Sequence, residues 1–179
     1  MAFAVTLLFN PAVAETMSAC WRRLAAAGIS SSMLDLDYKP HVTLAAYDEL
    51  DVAAAVACLD RAFVGVDQIP VALTGFSTFG PGSGGCYAAL APSPELNALQ
   101  AAITAVIDEA CRPHYQRGGW TPHCTLAMGM TDAGMDRARD LLDWRSLDGV
   151  FATADLVEFV PVVRLKCWTL SPLRSTRTP

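Results

Sequence analysis

Residues 40–45 read Pro-His-Val-Thr-Leu-Ala, and residues 122–127 read Pro-His-Cys-Thr-Leu-Ala. Five of the six positions are identical, and the two motif histidines, His41 and His123, are 82 residues apart. The chain has only three histidines, so ordinary composition would seldom produce this motif twice. Self-similarity at a fixed separation is the sequence signature of a duplicated structural unit. The sequence therefore predicts a fold built from two copies of one unit.

The segments that flank the two motifs repeat at the same spacing. Apolar strand-forming runs at residues 3–9 and 86–91 come first, and apolar residues at helical spacing follow each run. After each motif a second helix is predicted, with Asp51 and either Thr131 or Asp132 as its N-cap. Long strand patterns at 69–79 and 154–163 follow, and a last strand at 165–170. The order β-α-β-α-β thus occurs twice, over about residues 3–80 and 86–171, which predicts one α+β domain spanning residues 1–179 with pseudo-two-fold symmetry.

Composition limits the classes of function. Apolar residues make up 53% of the 179-residue chain and charged residues 17%, which argues against disorder. The net charge is −5 with scattered basic residues, which disfavours an extended nucleic-acid groove. No apolar run is long enough to span a membrane, and no pair of cysteines has metal-binding spacing. We expect the apolar N-terminal segment to be a strand and not an export signal. We expect a cytoplasmic monomer with reduced cysteines and neither metal nor cofactor. The glycine-rich stretch at 80–85 lacks the lysine of a phosphate-binding loop, so we expect it to be a connector.

The motif has the residue types that acid–base chemistry needs. Side chains alternate along a strand, so His41 and Thr43 share one face, as do His123 and Thr125. If both faces line one cleft, one imidazole can accept a proton while the other donates one, and the threonine hydroxyls can donate to phosphate oxygens. A duplication kept only for packing would explain Leu44 and Leu126. It would not explain both the histidines and the threonines.

Other side chains are weaker candidates. Aromatic rings can stack on a nucleobase, and we expect Tyr47, Tyr87, Phe9 and Trp120 as substrate-binding residues. Tyr47 is the strongest of these, because strand alternation continues the His41 face to that position. Three basic residues could assist an anionic ligand, namely Lys39, Arg112 and Arg117, whereas His114 is interpreted as a loop residue.

These features resemble the 2H phosphoesterase superfamily, which is named for two His-x-Thr/Ser-hydrophobic motifs. Here the motifs are His41-Val42-Thr43-Leu44 and His123-Cys124-Thr125-Leu126. The resemblance implies a bilobal α+β fold, with two antiparallel sheets facing a central cleft and helices outside. It also implies that His41 and His123 are the acid–base pair and that Thr43 and Thr125 bind the scissile phosphate. Which histidine is the acid stays open.

Family members act on several phosphodiesters, and the acidic composition favours a small cyclic nucleotide or an RNA-terminal cyclic phosphate. We therefore expect a metal-independent phosphodiesterase that hydrolyses a 2′,3′-cyclic phosphate or a related cyclic phosphodiester. Two alternatives stay open. One is RNA-end processing or 2′-5′ RNA ligase activity, and the other is a nucleotide-binding module without catalysis.

Overall fold

The computed structural model describes residues 1–80, 82–116 and 118–173, and it contains the predicted duplication. The first copy comprises β1 (Ala2–Phe9), α1 (Pro11–Ala26), α2 (Ser32–Asp35), β2 (His41–Tyr47), α3 (Val52–Ala62) and β3 (Ile69–Thr78). The second copy comprises β4 (Cys86–Leu90), α4 (Pro94–Val106), β5 (His123–Ala127), α5 (Asp132–Leu142) and β6 (Leu147–Phe159), followed by a last strand β7 (Val163–Thr169). A 3₁₀ turn at Pro113–Tyr115 precedes β5.

These strands pair antiparallel in the order β2-β1-β6-β3-β4-β5. Strand β7 pairs with residues 153–158 of β6, beyond the residues of β6 that pair with β3. The order is symmetric, because β1, β2 and β6 occupy the places that β4, β5 and β3 occupy in the other half. The third strand of each copy therefore pairs with the first strand of the other copy.

The α+β duplication is confirmed, but the two separate sheets need a correction. They are the halves of a single hydrogen-bonded sheet, joined where residues 147–151 of β6 pair with residues 69–73 of β3. The strand pattern at 154–163 underestimated β6, which begins at Leu147 and has 13 residues. Asp148 and Gly149 interrupt the apolar pattern there, so only pairing with β3 makes this stretch a strand.

Local sequence explains the helix boundaries. The Asp51 side chain accepts a hydrogen bond from the Ala54 amide at 3.0 Å, and the Thr131 hydroxyl accepts one from the Gly134 amide at 3.1 Å, as N-caps do. Helix α1 ends before Gly28, whose φ of 64° is a conformation that glycine adopts without strain. The caps predicted at Asp51 and Thr131 are confirmed.

The main core lies between the helices and one face of the sheet, and the other face of each half is left to form a cleft. Leu7, Leu44, Leu126 and Leu156 are among the fully buried core residues. A second, small cluster consists of Ala4, Ala46 and Val157 and lies apart from the main core. Within the described residues, no helix is long and apolar enough to cross a membrane.

Candidate active site

The two motif histidines line one cleft, with a volume of about 860 Å³. His41 is the first residue of β2 and His123 the first residue of β5, and these strands occupy equivalent places in the two halves. Both imidazoles are half-buried. Thr43 and Thr125 line the same cleft. The structure therefore brings together the four side chains that the motifs singled out.

The backbone before each motif sets the orientation of its imidazole. His41 Nδ1 lies 2.8 Å from the carbonyl oxygen of Lys39, and His123 Nδ1 lies 2.7 Å from that of Thr121. A carbonyl oxygen only accepts, so each Nδ1 carries the proton and donates it. In both rings Nε2 is left as the atom that accepts or donates a proton in the cleft.

Burial disfavours the positively charged form of each of the two imidazoles. Burial lowers the pKa of His41 and of His123, and the backbone carbonyl that each Nδ1 contacts offsets part of that effect. Positive charge on His123 lowers the His41 pKa further, while the carboxylate of Asp155 raises it. The two rings are thus coupled, and protonation of one opposes protonation of the other.

The buried carboxylate of Asp155 is linked to His41 through the side chain of Tyr38. The Tyr38 ring centroid is 5.0 Å from that of His41, and the Tyr38 hydroxyl lies 3.1 Å from Asp155 Oδ2 and 2.8 Å from the Thr6 hydroxyl. Asp155 is 1% exposed. Sequence reasoning missed this carboxylate, although a single acidic residue inside an apolar strand pattern was a usable signal.

Two aromatic rings pack against the imidazole of His123. Phe79 meets the imidazole edge-on, with ring centroids 4.8 Å apart and an interplanar angle of 82°. Tyr87 lies 5.3 Å away and also packs against Phe79, at 4.6 Å. Tyr87 lines the cleft, and its role in substrate binding stays a prediction. Phe79 was missed as a site residue, because the sequence showed it only as the end of a strand pattern.

Two indoles hold the backbone of the motifs. Trp120 Nε1 donates to the carbonyl oxygen of Thr43 at 2.9 Å, and Trp21 Nε1 donates to that of Thr125 at 3.0 Å. Trp120 lies just before the second motif but fixes the first, so it ties the two halves together across the cleft. Trp120 also lines the cleft, and its role in substrate binding stays a prediction.

A family model described as the 2′-5′ RNA ligase superfamily matches residues 9–160. The chain belongs to this superfamily. No curated protein sequence matches the chain. Membership of this superfamily indicates an enzyme of the phosphodiesterase type. The resemblance to 2H phosphoesterases that was inferred from the motifs is confirmed.

Solved structures have the same superfamily fold. Escherichia coli LigT complexed with 3′-AMP is 16% identical, with a TM-score of 0.60, and the match covers 94% of this chain and 97% of LigT. LigT complexed with NADP+ gives 16% identity, a TM-score of 0.59 and coverage of 94% and 96%. TT0787 of Thermus thermophilus is 14% identical, with a TM-score of 0.63 and coverage of 96% and 99%. At these identities the similarity shows the fold alone.

Each superfamily motif contains a β-bulge that the sequence did not reveal. Thr6 pairs with Thr43, whereas the preceding Val5 pairs with Ala45, so Leu44 is an extra residue on β2. The same irregularity places Leu126 as an extra residue on β5, between Thr125 and Ala127. Side-chain alternation reverses at each bulge. The residue after the motif alanine therefore faces the cleft in each half.

The bulge makes the prediction for Tyr47 wrong. Simple alternation placed Tyr47 on the His41 face, but after the bulge Ala46 takes that face and Tyr47 turns into the main core, where it is fully buried. The prediction for Phe9 is also wrong. Phe9 shares the core face of β1 with Val5 and Leu7, and its ring packs on Phe151 with centroids 4.8 Å apart.

The remaining candidates lie at the edge of the cleft or outside it. Arg112 lines the cleft and forms an ion pair with Asp48. His114, in the 3₁₀ turn, is exposed at the rim, while Lys39 contributes its carbonyl to His41. Arg117 lies outside the described residues. In the part of the chain that the structure describes, no three His, Cys, Asp or Glu side chains cluster as metal ligands would.

Proposed function

We propose that this protein is a phosphodiesterase that hydrolyses a 2′,3′-cyclic phosphate, carried by a nucleotide or an RNA end, through acid–base catalysis by His41 and His123 without a metal. The observation that supports it best is the matched pair of imidazoles in one cleft. Each Nδ1 is fixed on a carbonyl, so each Nε2 is available to the substrate. Superfamily membership and the nucleotides bound in LigT structures support the same substrate class.

The proposed reaction needs one proton transfer at each end of the breaking bond. The neutral Nε2 of one histidine takes a proton from water, and the water oxygen forms a bond to phosphorus. The bond from phosphorus to the ribose oxygen breaks, and that oxygen receives the proton carried by Nε2 of the other histidine. The hydroxyls of Thr43 and Thr125 donate to the non-bridging oxygens, where charge develops. After turnover the protonation states of the two rings are exchanged and are restored by solvent.

The pH dependence of hydrolysis tests this proposal. One ring must be neutral and the other protonated, so the rate is bell-shaped in pH. Burial lowers the pKa of both histidines in the free protein, so we expect kcat/KM to be maximal below about pH 6.5 and to fall on the alkaline side as the acid loses its proton. A bound phosphate anion favours imidazolium, which should move the kcat profile to higher pH.

The measurement is steady-state hydrolysis of adenosine 2′,3′-cyclic monophosphate in EDTA between pH 4.5 and 9, with all four nucleoside cyclic phosphates as a panel. The absence of turnover on the whole panel would contradict the proposed function. A rate that rises without a maximum up to pH 9 would contradict the paired acid–base roles.

A further inference from the structure

A buried carboxylate lies behind the His41 side of the cleft. Asp155 is 1% exposed, and its Oδ2 accepts a hydrogen bond from the Tyr38 hydroxyl at 3.1 Å. Within the described residues its Oδ1 has no hydrogen-bond partner. Burying a carboxylate with so few partners costs free energy. An asparagine could accept the same bond from Tyr38 without that cost, so hydrogen bonding alone does not explain an acidic residue at this position.

The hydrogen bonds that connect Thr6, Tyr38 and Asp155 have a single direction. A carboxylate only accepts, so the one proton of the Tyr38 hydroxyl points at Asp155, and the Thr6 hydroxyl donates to the Tyr38 oxygen at 2.8 Å. Burial raises the pKa of Tyr38, so the phenol keeps its proton. The Tyr38 ring packs against His41 at an interplanar angle of 54°. The phenol is therefore fixed with its hydroxyl on the carboxylate and its ring on the imidazole.

The sheet explains why Asp155 needs Tyr38 to reach the imidazole. Asp155 on β6, Thr6 on β1 and Thr43 on β2 are paired residues of one row, and His41 precedes Thr43 by two residues. Two strand spacings, about 10 Å, separate β6 from β2. Tyr38 spans this separation. Burial lowers the pKa of His41, and the negative charge of Asp155 opposes that effect.

The second half of the duplication has no carboxylate at the equivalent place. There Ser77, Tyr87 and Thr125 are paired on β3, β4 and β5, so Ser77 takes the place of Asp155. The two imidazoles are alike in their motifs and in the carbonyl that each Nδ1 contacts. They differ in this charge, which is present on one side only.

Other ionisable side chains near Asp155 leave its charge without a direct partner. Cys167 on β7 is paired with Asp155, and burial and that carboxylate raise the pKa of its thiol. The positive charges of Arg164 and Lys39 offset part of this increase, and Arg164 acts on Tyr38 in the same sense. Among the described residues neither cation forms an ion pair with Asp155.

We propose that Asp155 is a positioning residue for the acid–base reaction: through Tyr38 it holds the His41 imidazole, and its charge places on His41 the proton that the two rings share. The reaction that uses this proton rests on the proposed function. Positive charge on His123 opposes protonation of His41, so near neutral pH the pair holds at most one proton. A negative charge on one side only then determines which ring holds it.

Histidine titrations test the proposal on the unmodified protein and without turnover. Two-dimensional ¹H–¹⁵N NMR follows both imidazoles, whose signals are assigned by nuclear Overhauser effects to the rings of Tyr38 and Phe79. We expect His41 to take up its proton at a higher pH than His123. The reverse order would overturn the proposal.

The variant Asp155→Asn removes the charge and keeps an acceptor for the Tyr38 hydroxyl. We expect the His41 pKa to fall by roughly one pH unit, the effect of a charge about 10 Å away at an effective dielectric constant of about 20, while the His123 pKa does not fall. Asp148→Asn is a matched change at an exposed position of β6 and should alter neither value. An unchanged His41 pKa in folded Asp155→Asn, or an equal fall at both histidines, would overturn the proposal.

Kinetics connect this role to the proposed function. With a cyclic nucleotide as substrate, the alkaline limb of the kcat/KM profile should move to lower pH by roughly one unit in Asp155→Asn, a loss of about tenfold on that limb. Asp148→Asn should keep the wild-type profile. An alkaline limb that stays in place in Asp155→Asn would overturn the role in the reaction. The two proposals fail separately, because absence of wild-type turnover would contradict only the proposed function, and the wrong titration order would contradict only the role of Asp155.

Discussion

Replacing either His41 or His123 by glutamine should lower kcat for cyclic-phosphate hydrolysis by roughly 10²- to 10⁴-fold, the range that one positioned general acid or base contributes. Glutamine preserves size and polarity but cannot exchange a proton near neutral pH. The double variant should be about as slow as the slower single variant, because the two rings act in one step and their effects do not add.

The third histidine supplies a matched control. His114 is exposed in the 3₁₀ turn at the cleft rim and has no part in the proposed proton transfers. His114→Gln should stay within about twofold of the wild-type kcat. A folded His41→Gln or His123→Gln variant that keeps a near-wild-type rate would show that this ring does not transfer a proton.

Replacing Thr43 or Thr125 by valine should lower kcat by roughly 10²-fold each, which is the usual effect of removing one donor to a developing oxyanion. Valine has nearly the same shape as threonine and lacks only the hydroxyl. The indoles of Trp120 and Trp21 bind the carbonyl oxygens at these positions, and those bonds survive the change. The loss can therefore be assigned to the side chain.

Serine variants separate the hydroxyl from packing at the two threonine positions. Thr43→Ser and Thr125→Ser retain the donor and should recover most of the activity. If the serine variants were as slow as the valine variants, the hydroxyls would not be donors to phosphate and the threonine methyl groups would matter instead. Steady-state kinetics on one cyclic nucleotide, with folding checked by circular dichroism, gives the comparison.

Local sequence was sufficient for the motif itself. His41 and Thr43 precede the bulge on β2, and His123 and Thr125 precede the bulge on β5, so strand alternation places all four on the cleft side. The prediction fails beyond the bulge. Tyr47 is on the opposite face because of the hydrogen-bond register between β1 and β2, which brings together residues far apart in the chain.

The pairing of strands that are far apart in the chain also explains the other features that the local sequence did not predict. The early start of β6 and the joining of the two halves into one sheet depend on pairing with β3, which no local pattern contains. Asp155 becomes a neighbour of His41 only through Tyr38 and through the pairing of β6 with β1.

A crystal structure with inorganic phosphate bound would test most directly whether the two motifs act on a single phosphate. We expect one tetrahedral anion in the cleft, within hydrogen-bond distance of Nε2 of His41, Nε2 of His123 and the hydroxyls of Thr43 and Thr125. An anion held by only one motif, or bound outside the cleft while both imidazoles stay unoccupied, would contradict the shared site.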